Sequence, residues 1–263
     1  MRFYDLDIDV KNYAKRIIDA GYKCPADINS VSDFVKGLKA SNLYYNVADM
    51  WFLRSNQNIN SGNTLYSLKN IANTCALVNS PTIGGNGIQT VAASSQYLKI
   101  TTPEILNDFT AFVIGTNVNN VNGNRFFAFQ KAGVNYLTDS VSFYYPTSSL
   151  FLSMNYTDGS TTTASDSYSL TSYGFQSFAI SATPSTSVYR RSNTVTTNFA
   201  ARTTRPLMKN VIYCGGVDSG GSISSFSNFV YSAVFLFSPN VNDNYTNIYN
   251  IYKATAGKGL RLP

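Results

Sequence analysis

The run Asn228-Phe-Val-Tyr-Ser-Ala-Val-Phe-Leu-Phe237 decides the fold. Strand alternation puts Phe229, Tyr231, Ala233, Phe235 and Phe237 on one face and Val230, Val234 and Leu236 on the other, so both faces are apolar. A strand that is greasy on both sides belongs between packed layers. Pro239 has no N–H to donate and marks where pairing stops. Beyond it, Asn242 or Asp243 is placed to cap a helix in which Tyr245, Ile248, Tyr249 and Tyr252 recur at helical spacing, with Gly257 suited to closing it. The expectation is a short helix laid on a sheet.

Upstream, apolar runs at Asp108–Gly115, Arg125–Lys131, Ser140–Tyr145, Leu150–Tyr156, Phe175–Ala182, Thr186–Arg190 and Val211–Cys214 read as further strands, and their short connections imply antiparallel order. Asn155-Tyr-Thr-Asp-Gly159 with the following Ser-Thr-Thr-Thr-Ala-Ser reads as a mobile loop at one end of a sandwich. The N-terminal residues have a different period. Val10, Tyr13, Ala14, Ile17 and Ile18 follow a helical stripe, with Asp9 placed to cap it and Gly21 to end it. Ile28, Val31, Phe34, Val35 and Leu38 form a second stripe reaching Asn42, and Cys24-Pro25 separates the two. The chain thus divides into a helical hairpin, residues 1–46, and a β-sandwich, residues 47–263. The hairpin packs on the sandwich, the reading we prefer, or inserts against a neighbouring subunit, with Tyr13, Ile17, Phe34, Val35 and Leu38 as assembly contacts.

A length of 263 residues suits one large sandwich with helical additions. Aromatic residues at 14% against charged residues at 13% describe a chain that folds and whose surface is rich in Asn, Ser and Thr. The net charge of +6 is spread without a dense Lys/Arg block, so nucleic acid is not the expected partner. Met1-Arg-Phe-Tyr-Asp-Leu-Asp lacks a basic-then-apolar signal, and no apolar run approaches the roughly 18 residues of a membrane span. The expectation is a protein made in the cytosol without membrane insertion. Cys24, Cys75 and Cys214 are odd in number and share no metal-ligand spacing, which favours buried free thiols.

The absent chemistry narrows function further. There is no histidine and a single glutamate, Glu104, so neither Ser-His-Asp nor Cys-His machinery can be assembled. Glycoside hydrolysis needs two carboxyl groups roughly 5–9.5 Å apart. Asp139, Asp158, Asp166 and Asp218 all lie in Ser/Gly/Thr-rich turns, where capping and turn formation explain them. No cofactor is expected; the alternative is calcium at Asp158-Gly159 or Asp218-Ser-Gly-Gly221, neither of which has the spacing of a dedicated calcium loop. Gly84-Gly-Asn-Gly87 and Gly215-Gly216 read as turns rather than phosphate loops. Two clusters can meet a partner. Tyr144, Tyr145 and Tyr156 offer flat rings that stack on sugars or pack in a sheet. Tyr189, Arg190 and Arg191 with Arg202, Arg205 and Lys209 concentrate positive charge for an anionic glycan or an acidic neighbour, or form a solvated edge.

Ile212-Tyr-Cys-Gly-Gly-Val217, the closing strand, the aromatic helix and Leu260-Arg-Leu-Pro263 together resemble the end of a concanavalin A-like, laminin-G-like jelly roll, in the version found in tailed-phage virion proteins. Ile28–Leu43 and Thr64–Asn70 are similar to the leader of such proteins. The pattern departs at Ala233, where the family is often acidic, and hydrolases of this fold carry a Glu-x-Asp-x-x-Glu strand motif that is missing. The resemblance implies a mainly β fold, an antiparallel jelly-roll sandwich with an N-terminal helical hairpin and a short C-terminal helix. It implies a structural subunit on the head or tail of a virion assembled in the bacterial cytoplasm, with capsid or tail subunits as partners and a homotrimer as the expected assembly. The alternative is a host-glycan receptor-binding module of a fibre; a polysaccharide hydrolase ranks last, because the paired catalytic carboxyl groups are missing.

Overall fold

The computed structural model describes residues 5–59, 61–105, 108–118, 124–137, 140–145, 150–155, 161–166, 174–180, 187–191, 195–199 and 209–262. Of these it gives backbone alone at 103–105, 117, 124, 144–145, 150–155, 161–166, 178, 180, 187–191, 195–199 and 209. Two helices, α1 (Ile8–Asp19) and α2 (Ile28–Ala40), come first. The strands follow as β1 (Val47–Phe52), β2 (Thr64–Tyr66), β3 (Thr74–Val78), β4 (Thr82–Gly84), β5 (Gly87–Thr90), β6 (Tyr97–Ile105), β7 (Phe109–Asn117), β8 (Asn124–Gln130) and β9 (Ser140–Tyr145). After these come β10 (Leu150–Asn155), β11 (Thr161–Asp166), β12 (Gly174–Ile180), β13 (Ser187–Arg191), β14 (Val195–Phe199), β15 (Lys209–Cys214), β16 (Val217–Asp218), β17 (Ile223–Ser224) and β18 (Phe229–Phe237), and α3 (Tyr245–Ala254) closes the chain.

One sheet runs β14-β13-β12-β7-β18-β5-β4, with β1 paired to the second half of β18; the other runs β11-β10-β9-β8-β15-β6-β3-β2. Every ladder is antiparallel, and β16 with β17 forms a separate small hairpin. The two sheets stack face to face, and the helices cover the outer side of the first. This is the mainly β, antiparallel jelly-roll sandwich with flanking helices that the sequence implies.

The closing strand shows how the layers join. Its alternation does not run straight through: the register with β7 slips between Tyr231 and Ala233, leaving Ser232 as an extra residue. Before this bulge Phe229 stacks on Phe126 of the second sheet at 4.7 Å, and the Tyr231 hydroxyl donates to the Phe126 carbonyl. After it, Phe235 lies 5.1 Å from Phe34 of α2 and 5.4 Å from Tyr252 of α3. The set expected on a single face is therefore divided between two interfaces. Placing those rings on both sides of the central strand lets one segment hold three layers together.

Tyr13, Ile17, Phe34, Val35 and Leu38 are fully buried within the chain and belong to the same continuous core as the sheets. They are not available to a neighbouring subunit, which corrects the assembly reading; their apolar stripes are spent on the first sheet and on each other. Gly37 lets α2 approach α3, since a Cβ there would lie 2.5 Å from Ile251 Cγ2. Other local readings also change. Asp7, not Asp9, caps α1 by accepting from the Asp9 N–H at 3.0 Å, while Asp9 pairs with Lys39 at 2.6 Å. Ile18 is exposed, α2 ends at Ala40, and α3 has no side-chain cap. Residues 161–166, expected in a mobile loop, form β11, whereas 156–160 lie outside the described residues. Cys75 and Cys214 are buried and free, but Cys24 is half-exposed.

One buried carboxylate fastens a loop to the edge of this core. Asp49 sits at an irregularity in β1 and accepts from the Met50 N–H at 2.8 Å, the Asn73 amide at 2.6 Å and the Ser67 hydroxyl. Burial pushes its pKa up, and hydrogen bonds from Ser67, Asn73, Met50 and Lys69 only partly oppose this. A raised folded pKa means that the native state holds the proton more tightly, so the contribution of Asp49 to stability falls as pH rises from its ordinary value of 3.8 to the raised folded value, then stays constant. Asp49→Asn removes this ionisation. Urea unfolding of variant and parent should give a stability difference that shifts in favour of the variant above about pH 4 and then levels off; a difference that stays flat down to pH 3 contradicts the assignment.

Candidate functional site

The outer face of the second sheet carries an aromatic surface beside a buried acid. On β6 the alternation Tyr97-Leu-Lys-Ile sends Leu98 and Ile100 into the core and leaves Tyr97 half-buried and Lys99 exposed. The loop leading to Tyr97 is tied down. Gln96 Oε1 accepts from the Val91 N–H at 3.0 Å, Gln96 Nε2 donates to the Ser80 carbonyl at 3.1 Å, and Asn79 Nδ2 donates to the Ser95 carbonyl at 2.8 Å. The Tyr97 ring lies 6.2 Å from Tyr213 of β15 and 6.1 Å from Phe226, the latter pair inclined at 35°. Phe226 is half-buried, so the two outer rings are reachable from solvent.

Asp218, at the start of the β16–β17 hairpin, holds this surface in place. Its Oδ1 accepts from the Gly221 N–H at 2.6 Å within its own turn, and its Oδ2 accepts from the Gly133 N–H at 3.1 Å and the Tyr213 hydroxyl at 3.2 Å. Gln130 supports the same point, accepting from the Asp218 N–H at 3.2 Å and donating to the Asp218 carbonyl at 3.2 Å. The carboxylate oxygens thus already face N–H and O–H donors, an arrangement suited to a turn clamp. Burial first, and the Asp218 charge second, raise the pKa of both Tyr97 and Tyr213. Both phenols therefore keep their protons at neutral pH. The Tyr213 proton is committed to Asp218, whereas the Tyr97 hydroxyl has no partner among the described residues. Beyond the hairpin the Arg125 guanidinium stacks 4.1 Å from the Tyr136 ring.

Of the residues expected from the sequence to meet a partner, five are placed by their backbone. Tyr144 and Tyr145 lie on β9 of the second sheet, and Tyr189, Arg190 and Arg191 lie on β13 of the first. β13 is flanked by β12 and β14, which places these three residues one strand in from the edge of the first sheet. The side chains of these five residues, and all of Tyr156, Arg202 and Arg205, lie outside the described residues. Tyr97, Tyr213 and Phe226 are missed by the sequence reading. The signal for them is present in the Tyr97/Lys99 alternation and in a phenylalanine set among serines at Ser224-Ser-Phe-Ser227. No cluster of three metal-binding side chains occurs among the described residues.

Two stacked antiparallel sheets flanked by helices make this a jelly-roll β-sandwich. No protein-family model and no curated protein sequence matches the chain. Among solved structures, the receptor-binding domain of botulinum neurotoxin type G is similar with a TM-score of 0.55 and 11% identity, over 80% of this chain and 51% of that one. The receptor-binding domain of botulinum neurotoxin mosaic serotype C/D gives a TM-score of 0.56 and 11% identity, over 78% and 50%. A Ruminococcus gnavus IT-sialidase CBM40 bound to α2,6-sialyllactose gives 0.47 and 8%, over 55% and 84%. The chain spans about half the length of the two neurotoxin domains. At these identities the likeness is one of fold.

Proposed function

We propose that this chain is a non-catalytic carbohydrate-binding jelly-roll module that attaches to host-surface glycans. The observation that carries the reading is the pair of solvent-reachable rings, Tyr97 and Phe226, held 6.1 Å apart beside an unengaged phenol hydroxyl. Such a surface offers apolar contact to a sugar's C–H face and a hydrogen bond to its hydroxyls. Further support comes from the fold shared with the two neurotoxin domains, which are receptor-binding domains. The lack of histidine and the single glutamate support an adhesive role over a hydrolytic one.

A glycan array tests this directly. The parent protein should retain at least one host polysaccharide, and Tyr97→Ala should weaken that binding about tenfold or more, since alanine removes both the ring contact and the hydroxyl. Chelation with EDTA should leave binding unchanged, because no bound ion enters the proposed contact. Silence across the array, or retention unaffected by Tyr97→Ala, overturns the reading.

The proposed setting is the surface of a tailed-phage particle, supported by the resemblance of residues 212–217, 228–237 and 260–263 to phage virion proteins. Labelled antibody on intact particles tests it. A decoration subunit that binds only capsid or tail proteins is the second reading, favoured by that same resemblance, and it predicts tight association with purified particles and silence on the array.

A further inference from the structure

We propose a second saccharide subsite, for a neutral sugar, in a cleft of about 220 Å³ formed by the β4–β5 turn and the face of the first sheet beside it. The cleft is lined by Thr82, Asn86, Gln89, Val230 and the turn glycines, so no ionisable side chain reaches it. The inference rests on the carbohydrate-binding reading above but on different residues.

Three features support it. The turn is rigid: the Gly84 carbonyl accepts from the Ser55 N–H at 3.0 Å, the Gly85 carbonyl from Arg54 Nε at 2.8 Å, and the Asn86 carbonyl from the Ser232 hydroxyl at 2.5 Å. Arg54 is itself almost fully buried and donates onward to the carbonyls of Ala256 and Lys258, so the turn is anchored to the C-terminal loop. A site whose backbone is already fixed loses little freedom when a ligand arrives.

The groups facing the cleft, by contrast, are unengaged. The Thr82 hydroxyl, the Asn86 and Gln89 side-chain amides, and the N–H groups of Gly85 and Asn86 have no hydrogen-bond partner among the described residues. This combines donors and acceptors without charge. Val230 adds an apolar patch, and it stands in line with Gln89 and Thr82 across three paired strands. Neutral amides and hydroxyls around an apolar patch complement a molecule with hydroxyl groups on its rim and C–H bonds on one face. A single pyranose ring has that chemistry, while an anion would find no cation in the lining to meet it.

The test is amide chemical-shift mapping of the full chain with the methyl glycosides of glucose, galactose, mannose and N-acetylglucosamine at tens of millimolar, with sodium sulfate as the anion control. At least one sugar should shift Gly85, Asn86, Gly87 and Gln89. Gln89→Ala should weaken that response about fivefold, Thr82→Ala should weaken it in the same direction, and Tyr97→Ala should leave it unchanged. Absence of shifts at the turn with every sugar, a response to sulfate alone, or indifference to both cleft substitutions overturns the subsite. Shifts confined to Tyr97 and Phe226 overturn it while sustaining the proposed function; shifts confined to the turn sustain it and overturn the aromatic contact.

Discussion

Phe34→Ala should destabilise the protein by about 3–5 kcal/mol, lowering Tm by on the order of 10 °C for a chain of this size. The ring is fully buried and meets Phe235 at 5.1 Å, Tyr252 at 5.5 Å and Phe52 at 6.1 Å, so alanine leaves a hole where α2, α3 and two strands of the first sheet converge. Beyond lost burial, aromatic contacts of this geometry contribute about 0.5–1.5 kcal/mol each. Tyr45→Ala is the control, because that ring is 82% exposed and its loss should stay within about 0.5 kcal/mol. Thermal unfolding of the three proteins decides the matter. Equal stabilities for Phe34→Ala and parent would mean that the hairpin is not part of the core, and would reopen its use against another subunit.

Gly87→Ala should be at least as damaging, by a different route, with a loss of about 3 kcal/mol or more and a drop in soluble yield. Gly87 has φ +142, a region that side chains rarely occupy, and a Cβ there would fall 2.1 Å from the Tyr231 carbonyl oxygen and 2.6 Å from its carbon. Both are backbone atoms of the central strand, next to the bulge at Ser232, and cannot swing aside. Gly85→Ala, two residues earlier in the same turn, meets nothing within 4 Å and should cost less than about 1 kcal/mol. Chemical denaturation of the pair checks the contrast; similar stabilities would show that β5 does not approach β18 this closely.

Much of the architecture is legible from residue spacing. The two-sided apolar run at 228–237, the stripes of α1 and α2 and the tyrosines of α3 all carry strong periods, because a residue that must reach a core can do so only at fixed intervals along its element. Short strands are less visible. β2, β4 and β14 are short and sit at or near sheet edges, where few side chains need to be apolar and the pattern carries little signal. Partner residues are legible least of all: Tyr97 and Tyr213 stand far apart in the sequence and are brought together only by the pairing of β6 with β15.

Composition, period and missing chemistry were determined by the sequence alone: a mainly β chain with helices at both ends, lacking the histidine and paired glutamates of most hydrolytic sites. Only the tertiary structure decided that Ser232 bulges, so that one strand serves two interfaces, and that Tyr97 meets both Phe226 and the Tyr213 whose hydroxyl Asp218 holds. The physical reason is the same in both cases. Periodicity records which side of an element faces apolar surroundings, whereas register slips and contacts between distant strands depend on what the rest of the chain brings alongside, and an antiparallel sheet can bring together residues that no local pattern connects.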